Sequence, residues 1–134
     1  MSNATVQIGK SEEITPNKKV IKASLGGTFT AEDTALLSEW AKGLNSSIKE
    51  LSKDNGHSVC ILIDISNLET YTSPEIVTLL ADLMKKDNPY VYKTATFGGN
   101  YTHEMTQGVI SGLSNRDNIK NFKNEAEAVQ WLKS

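Results

Sequence analysis

Cysteine, histidine and proline are scarce in this chain: one, two and three among 134 residues. The lone cysteine cannot form an internal disulfide. Within the run Val59-Cys60-Ile61-Leu62-Ile63 it reads as a buried small hydrophobe rather than a redox centre. His57 and His103 have neither HxH nor HExxH spacing and no cysteine neighbours, so no metal centre is expected. The glycine pairs in Leu25-Gly26-Gly27-Thr28 and Phe97-Gly98-Gly99-Asn100 lack the spacing of a Walker or dinucleotide loop, which leaves no expected cofactor. No GxSxG elbow surrounds any serine, so the sequence offers no activated nucleophile and reads as a non-enzyme. No run approaches the roughly 20 apolar residues of a membrane span, and residues 1–10 are polar, so the expectation is a cytoplasmic rather than an integral membrane protein. Charge of one sign is lacking too. Fourteen basic against sixteen acidic side chains give a net charge of −2, with the signs interspersed. That argues against nucleic acid or a membrane surface as partner.

What is present is one domain's worth of core: 38% of residues are apolar. The expectation is a single domain over residues 1–134, with residues 1–4 and 11–18 as candidate disorder. Residues 5–8 and 19–24 alternate polar and apolar and read as two strands of a hairpin, followed by a bend or bulge at Gly26-Gly27. Thr30 caps a long helix with Leu36, Trp40, Leu44, Ile48 and Leu51 on its apolar face, ended by Asn55-Gly56. Residues 57–65 are apolar almost without a break, the pattern of a central strand covered on both faces. Ser73-Pro74 opens a second helix, with Ile76, Val77, Leu80, Leu83 and Met84 inward. Residues 91–97 read as a strand, Met105, Val109, Ile110 and Leu113 line a third helix, and residues 118–122 form a last short strand. Asn124 and Glu127 form a capping box before Ala128, Val129 and Leu132. The order β-β-α-β-α-β-α-β-α predicts an α/β fold. Its sheet is mixed and mostly parallel, with about four to five strands and about four helices, chiefly on one face.

Asp64 is the charged residue near the end of the central strand, where open α/β sheets place functional groups. An aspartate there also accepts bonds from the backbone of the following loop, and both readings stand. The ungapped stretch from Ile63-Asp64-Ile65-Ser66 through Thr72-Ser73-Pro74-Glu75-Ile76 to Leu79-Leu80 resembles the signature of STAS domains, the sulfate-transporter and anti-sigma-factor-antagonist domains. Asp64 and Ser66 match the Asp-aliphatic-Ser strand end of that pattern. Thr72, Pro74 and Glu75 stand where it has Asp, Ser/Thr and Gly. With residues 27–33 upstream and Phe122 to Leu132 downstream, the resemblance spans roughly residues 18–133 and looks most like the SpoIIAA-like, STAS/SEC14-like branch.

The resemblance implies a SpoIIAA-like fold and a bacterial regulatory protein-interaction module similar to an anti-sigma-factor antagonist. Its protein partner would be an anti-sigma-factor kinase. Ser73, with Thr72 beside it, falls on the phosphoacceptor position. Asp64, Ser66, Glu69, Thr70, Tyr71, Glu75 and Ile76 would form the partner-binding loop and helix start. Read from the residues alone, Ser73 is equally explained as a helix N-cap whose hydroxyl accepts from the backbone. The SEC14-like side of the resemblance implies an alternative, a small domain binding an apolar ligand or lipid. A homodimer through an exposed edge strand or helix face is compatible with either.

Overall fold

In a computed structural model of the chain, residues 3–53, 58–70, 73–87, 89–99, 113 and 118–134 are described. The chain opens with a long hairpin, β1 (Thr5–Thr15) and β2 (Lys18–Thr28), turned by Pro16 and Asn17. Both strands extend well past the short segments expected, and residues 11–15 are ordered strand, not a disordered link. The local pattern there is polar because β1 is an edge strand exposed along most of its length. Its cross-strand pairing with β2, shifted between Ile8 and Ser11, supplies the order that side-chain burial does not.

Thr30 closes a capping box: its hydroxyl accepts from the Glu32 N–H and Asp33 accepts from the Thr30 N–H, which starts a 3₁₀ turn (Ala31–Asp33). The turn runs into α1 (Thr34–Ser52). The buried stripe of α1 is Leu37, Trp40, Ala41, Leu44, Ile48 and Leu51, while Leu36 is exposed, so the start of the expected stripe moves by one residue. The 3₁₀ turn accounts for this, because it winds more tightly than an α-helix and rotates the first turn of α1. Next come β3 (Ser58–Asp64), β4 (Leu68–Thr70), α2 (Pro74–Asp87), β5 (Val91–Phe97), β6 (Ile119–Phe122) and α3 (Glu125–Lys133). The helix expected around Met105, Val109 and Ile110 lies outside the described residues; Leu113, its last expected inward position, is helical but exposed.

Among the described residues the main sheet runs β1-β2-β3-β5-β6, antiparallel only at the hairpin, with β4 added parallel to the end of β2. The strands β2, β3 and β5 follow one another across the sheet, so crossovers of one hand put α1 and α2 on the same face. There Ile21, Ala23, Leu25, Val59, Ile61 and Ile63 pack against Leu37, Leu44, Ile48, Ile76 and Leu80. Val20, Cys60, Leu62 and Ala95 point to the other face and meet Ala128 and Leu132 of α3. Among the described residues helices therefore cover both faces, α1 and α2 on one and the shorter α3 on the other. The strand β3 is buried on both, as its unbroken apolar run requires.

Candidate functional site

Parallel strands end together, and the segment that leaves β3 after Asp64 lies beside β2 and the end of β5. The loop is fixed at several points by bonds of different origin. The Asp64 carboxylate accepts from both the Ser66 N–H at 2.8 Å and the Ser66 hydroxyl at 2.6 Å, a local turn of the kind an aspartate favours. The Ile65 N–H donates to the Phe97 carbonyl and the Gly27 N–H donates to the Asn67 carbonyl, so the loop is stitched to β5 on one side and β2 on the other. Gly98, at φ +89°, lies against Ser66 so closely that a Cβ there would overlap it. Leu68 is buried and anchors β4, while Ser66, Asn67 and Glu69 remain exposed.

Glu69 is tied across the loop: it accepts from the Thr28 hydroxyl and the Asn3 amide, both at 3.3 Å. Asn3 in turn accepts from the Thr28 N–H at 2.8 Å. Thr70 pairs with Thr28 at the end of β4. Tyr71 and Thr72 lie outside the described residues.

At the helix start the Ser73 carbonyl accepts from the Val77 N–H at 3.0 Å, so Ser73 sits at the N-terminal boundary of α2. Its hydroxyl donates to the Glu75 carboxylate at 2.6 Å. A capping hydroxyl was expected to accept from the helix backbone. Here the bond seen is one the hydroxyl donates, to a carboxylate two residues on, a charge-assisted contact. The same bond holds the Glu75 carboxyl below the usual carboxylate range. Ile76, expected at the docking surface, is fully buried between α2 and the sheet; it belongs to the core and is out of a partner's reach. The structure thus joins Asp64 to Ser66 before residues 71–72 and Ser73 to Glu75 after them, with Glu69 and Glu75 both exposed and acidic.

Elsewhere, Cys60 is fully buried, and burial pushes its thiol up to about 11 against the opposing pull of the Lys18 ammonium. No group of three His, Cys, Asp or Glu side chains that could hold a metal occurs among the described residues. Nor is any described helix long and apolar enough to cross a membrane. Three cavities among the described residues have charged walls. One of about 230 Å³ beside α3 includes Lys22, Asp64 and Glu125. One of about 730 Å³ between β1 and α1 includes Lys10 and Glu50. A groove of about 450 Å³ between α1 and α2 includes Lys42, Asp82 and Lys86.

Sequence reasoning missed three parts of the site. The strand β4 is too short for a period-2 pattern to register, although buried Leu68 between exposed Asn67 and Glu69 is its trace. The Asn3–Thr28–Glu69 ties and the Gly98–Ser66 contact join residues far apart in the chain, and no local spacing announces them.

No family model matches the chain, and no curated protein matches it. Among solved structures it is similar to an uncharacterized protein of the DUF3478 family with a SpoIIAA-like fold from Shewanella loihica PV-4. The TM-score is 0.62 and the identity 18%, over 98% of this chain and 97% of that one. It is also similar to the Bacillus cell fate determinant SpoIIAA in the phosphorylated form, with TM-score 0.49 and 15% identity, over 94% of this chain and 99% of that one. The first of these likenesses shows the fold, which is SpoIIAA-like and agrees with the expected α/β, mostly parallel architecture.

Proposed function

We propose that this chain, SpoIIAA-like in fold, is a non-catalytic regulatory module of the cytoplasm that docks a protein partner through residues 64–75. The observation that carries this reading is the fixing of an exposed polar loop from both sides: Asp64 on Ser66, Gly98 against Ser66, and Asn3 and Thr28 on Glu69. A loop already held in shape loses little conformational freedom on binding, so its contacts convert more fully into affinity. Glu69 and Glu75 are its charged contacts, which fits a partner surface bearing lysine or arginine, and the STAS resemblance adds Thr70 and Tyr71 to the residues assigned to docking. The cavities described above have charged walls, so a pocket for an apolar ligand is not the reading adopted.

Ser73 is the switch in this reading, with Thr72 as the neighbouring acceptor, and the partner is a kinase of the anti-sigma-factor type. A phosphate adds roughly −1.5 to −2 charges. On Ser73 it would replace a hydrogen bond to Glu75 by repulsion, at the place where the loop enters α2. The test is capture of the partner from native cells with the tagged full chain, followed by affinity measurements on Glu69→Ala, Glu75→Ala and Ser73→Asp. Each should weaken binding by roughly ten-fold or more, the scale of one lost charge-assisted contact. Affinities unchanged in all three would refute the docking surface. An unmodified Ser73 and Thr72 in the intact mass of protein from native cells, under conditions where the partner is bound and where it is free, would refute the switch alone.

A further inference from the structure

The helix α3 stands apart from the rest of the core in how it is held. It is nine residues long and buries two side chains fully, Ala128 and Leu132, in a small cluster separated by the sheet from the larger core under α1 and α2. A helix that short has little stability of its own and depends on what it packs against. Its first turn is capped by Asn124, which accepts from the Glu127 N–H, and Trp131 meets the ring of Phe122 at 5.4 Å.

Its last turn is gripped from the sheet. The Lys18 ammonium donates to the carbonyls of Leu132, Lys133 and Ser134 at 3.2, 3.0 and 2.7 Å. The Lys93 ammonium donates to the carbonyl of Trp131 at 3.0 Å and to the Ser134 hydroxyl at 2.6 Å. The Tyr92 hydroxyl donates to the Ser134 carbonyl at 2.8 Å, and both ammonium groups lie over the Tyr92 ring. Two cations thus sit on the carbonyl end of a helix, where its dipole is negative.

We propose that α3 is a strap that opens and closes as a unit over the second face of the sheet, latched by Lys18, Tyr92 and Lys93 on its last turn. Opened, it uncovers the strip Val20, Cys60, Leu62 and Ala95, all buried when it is closed, while the larger core stays intact on the far side. The chain also carries its own reporter, because Cys60 is its one cysteine and lies beneath the strap.

The experiment is labelling of Cys60 in the intact chain by a chromogenic aromatic disulfide, at fixed pH and at urea concentrations far below the unfolding midpoint. Global unfolding is followed separately by circular dichroism. The strap predicts labelling whose urea dependence is much shallower than that of global unfolding, because little surface is exposed. Substituting Lys18→Met and Lys93→Met together should speed it by roughly 3- to 30-fold, the range for two cations lost from a helix C-terminus. Labelling with the full urea dependence of global unfolding would overturn the proposal. So would a rate unchanged in the double variant. As a second measurement, the backbone amides of Ala128, Val129 and Leu132 should exchange faster than those of Leu44 and Ile48. Equal, slowest-class protection of both sets would also overturn it.

Discussion

Replacing Gly98 by alanine tests whether the loop after Asp64 is clamped by its neighbour strand. Gly98 comes directly after β5 at φ +89°, a conformation that costs an L-residue about 1–2 kcal/mol. An added Cβ would also fall 2.9 Å from the Ser66 Cα and 3.0 Å from the Ser66 Cβ, and would overlap the Ser66 hydroxyl oxygen. The Ser66 hydroxyl is engaged by Asp64 and its backbone by the Asp64 carboxylate, so neither can step aside without breaking a bond. Forced overpacking of this kind costs about 1–3 kcal/mol. The two contributions together give roughly 2–5 kcal/mol, a large share of a typical domain's stability. Equilibrium urea unfolding of Gly98→Ala, Ser66→Gly and the double variant separates them. Ser66→Gly removes the Cβ and hydroxyl that the new methyl strikes, so the double variant should recover about 0.5–3 kcal/mol of the loss, while the backbone cost stays. A Gly98→Ala chain within about 0.5 kcal/mol of the parent, the range of inert surface changes, would refute the clamp. So would strict additivity of the two substitutions.

Three further outcomes rest on particular contacts. Glu75 titrates below the usual carboxylate range because the Ser73 hydroxyl stabilises its ionised form. Its favourable contribution is therefore present above the ordinary glutamate range and fades as pH falls through the lowered folded value. Ser73→Ala should move that midpoint upward in a carboxyl-carbon NMR titration, and an unmoved midpoint contradicts the bond. Leu44→Ala, at a fully buried position, should cost about 2–5 kcal/mol in urea unfolding, whereas Leu36→Ala, at 37% exposure, should cost under about 0.5; equal costs would put the α1 stripe in the wrong register. Thr30→Ala opens the capping box and should lower stability by about 0.5–2 kcal/mol by the same assay, with a null result showing that the box is formed without consequence.

The elements whose burial is periodic were legible in the sequence, and those held by pairing were not. Strand β3 announced itself because both of its faces are covered, and α1 and α2 because one face of each is. Residues 11–15 read as disorder because an edge strand exposes most of its side chains, so its amino acids record solvent rather than the ladder that orders them. At the site, Asp64 and Ser66 could be paired in advance because the aspartate turn is local. Ile76 was read two ways: the periodicity of α2 put it inward, as observed, whereas the family-like motif put it at the docking surface, because a motif marks where a helix begins and not which face a residue presents. Asn3 lies 66 positions from Glu69, and nothing in either neighbourhood marks the other.

The topology explains why so much of the site comes from outside the loop that resembles a known signature. Consecutive parallel strands with both crossovers on one face bring the ends of β2, β3 and β5 side by side, with β3 in the middle. The segment leaving β3 must therefore pass between the ends of its two neighbours, and its backbone groups find partners there: Phe97 on one side and Gly27 on the other. Contacts at those flanking positions shape the loop from outside it. Substitutions at Asn3, Thr28 or Gly98 can thus retune the surface presented by Glu69 and Ser66 while leaving its chemistry unchanged. The shape of that surface is therefore set as much at the neighbouring strand ends as within the loop itself.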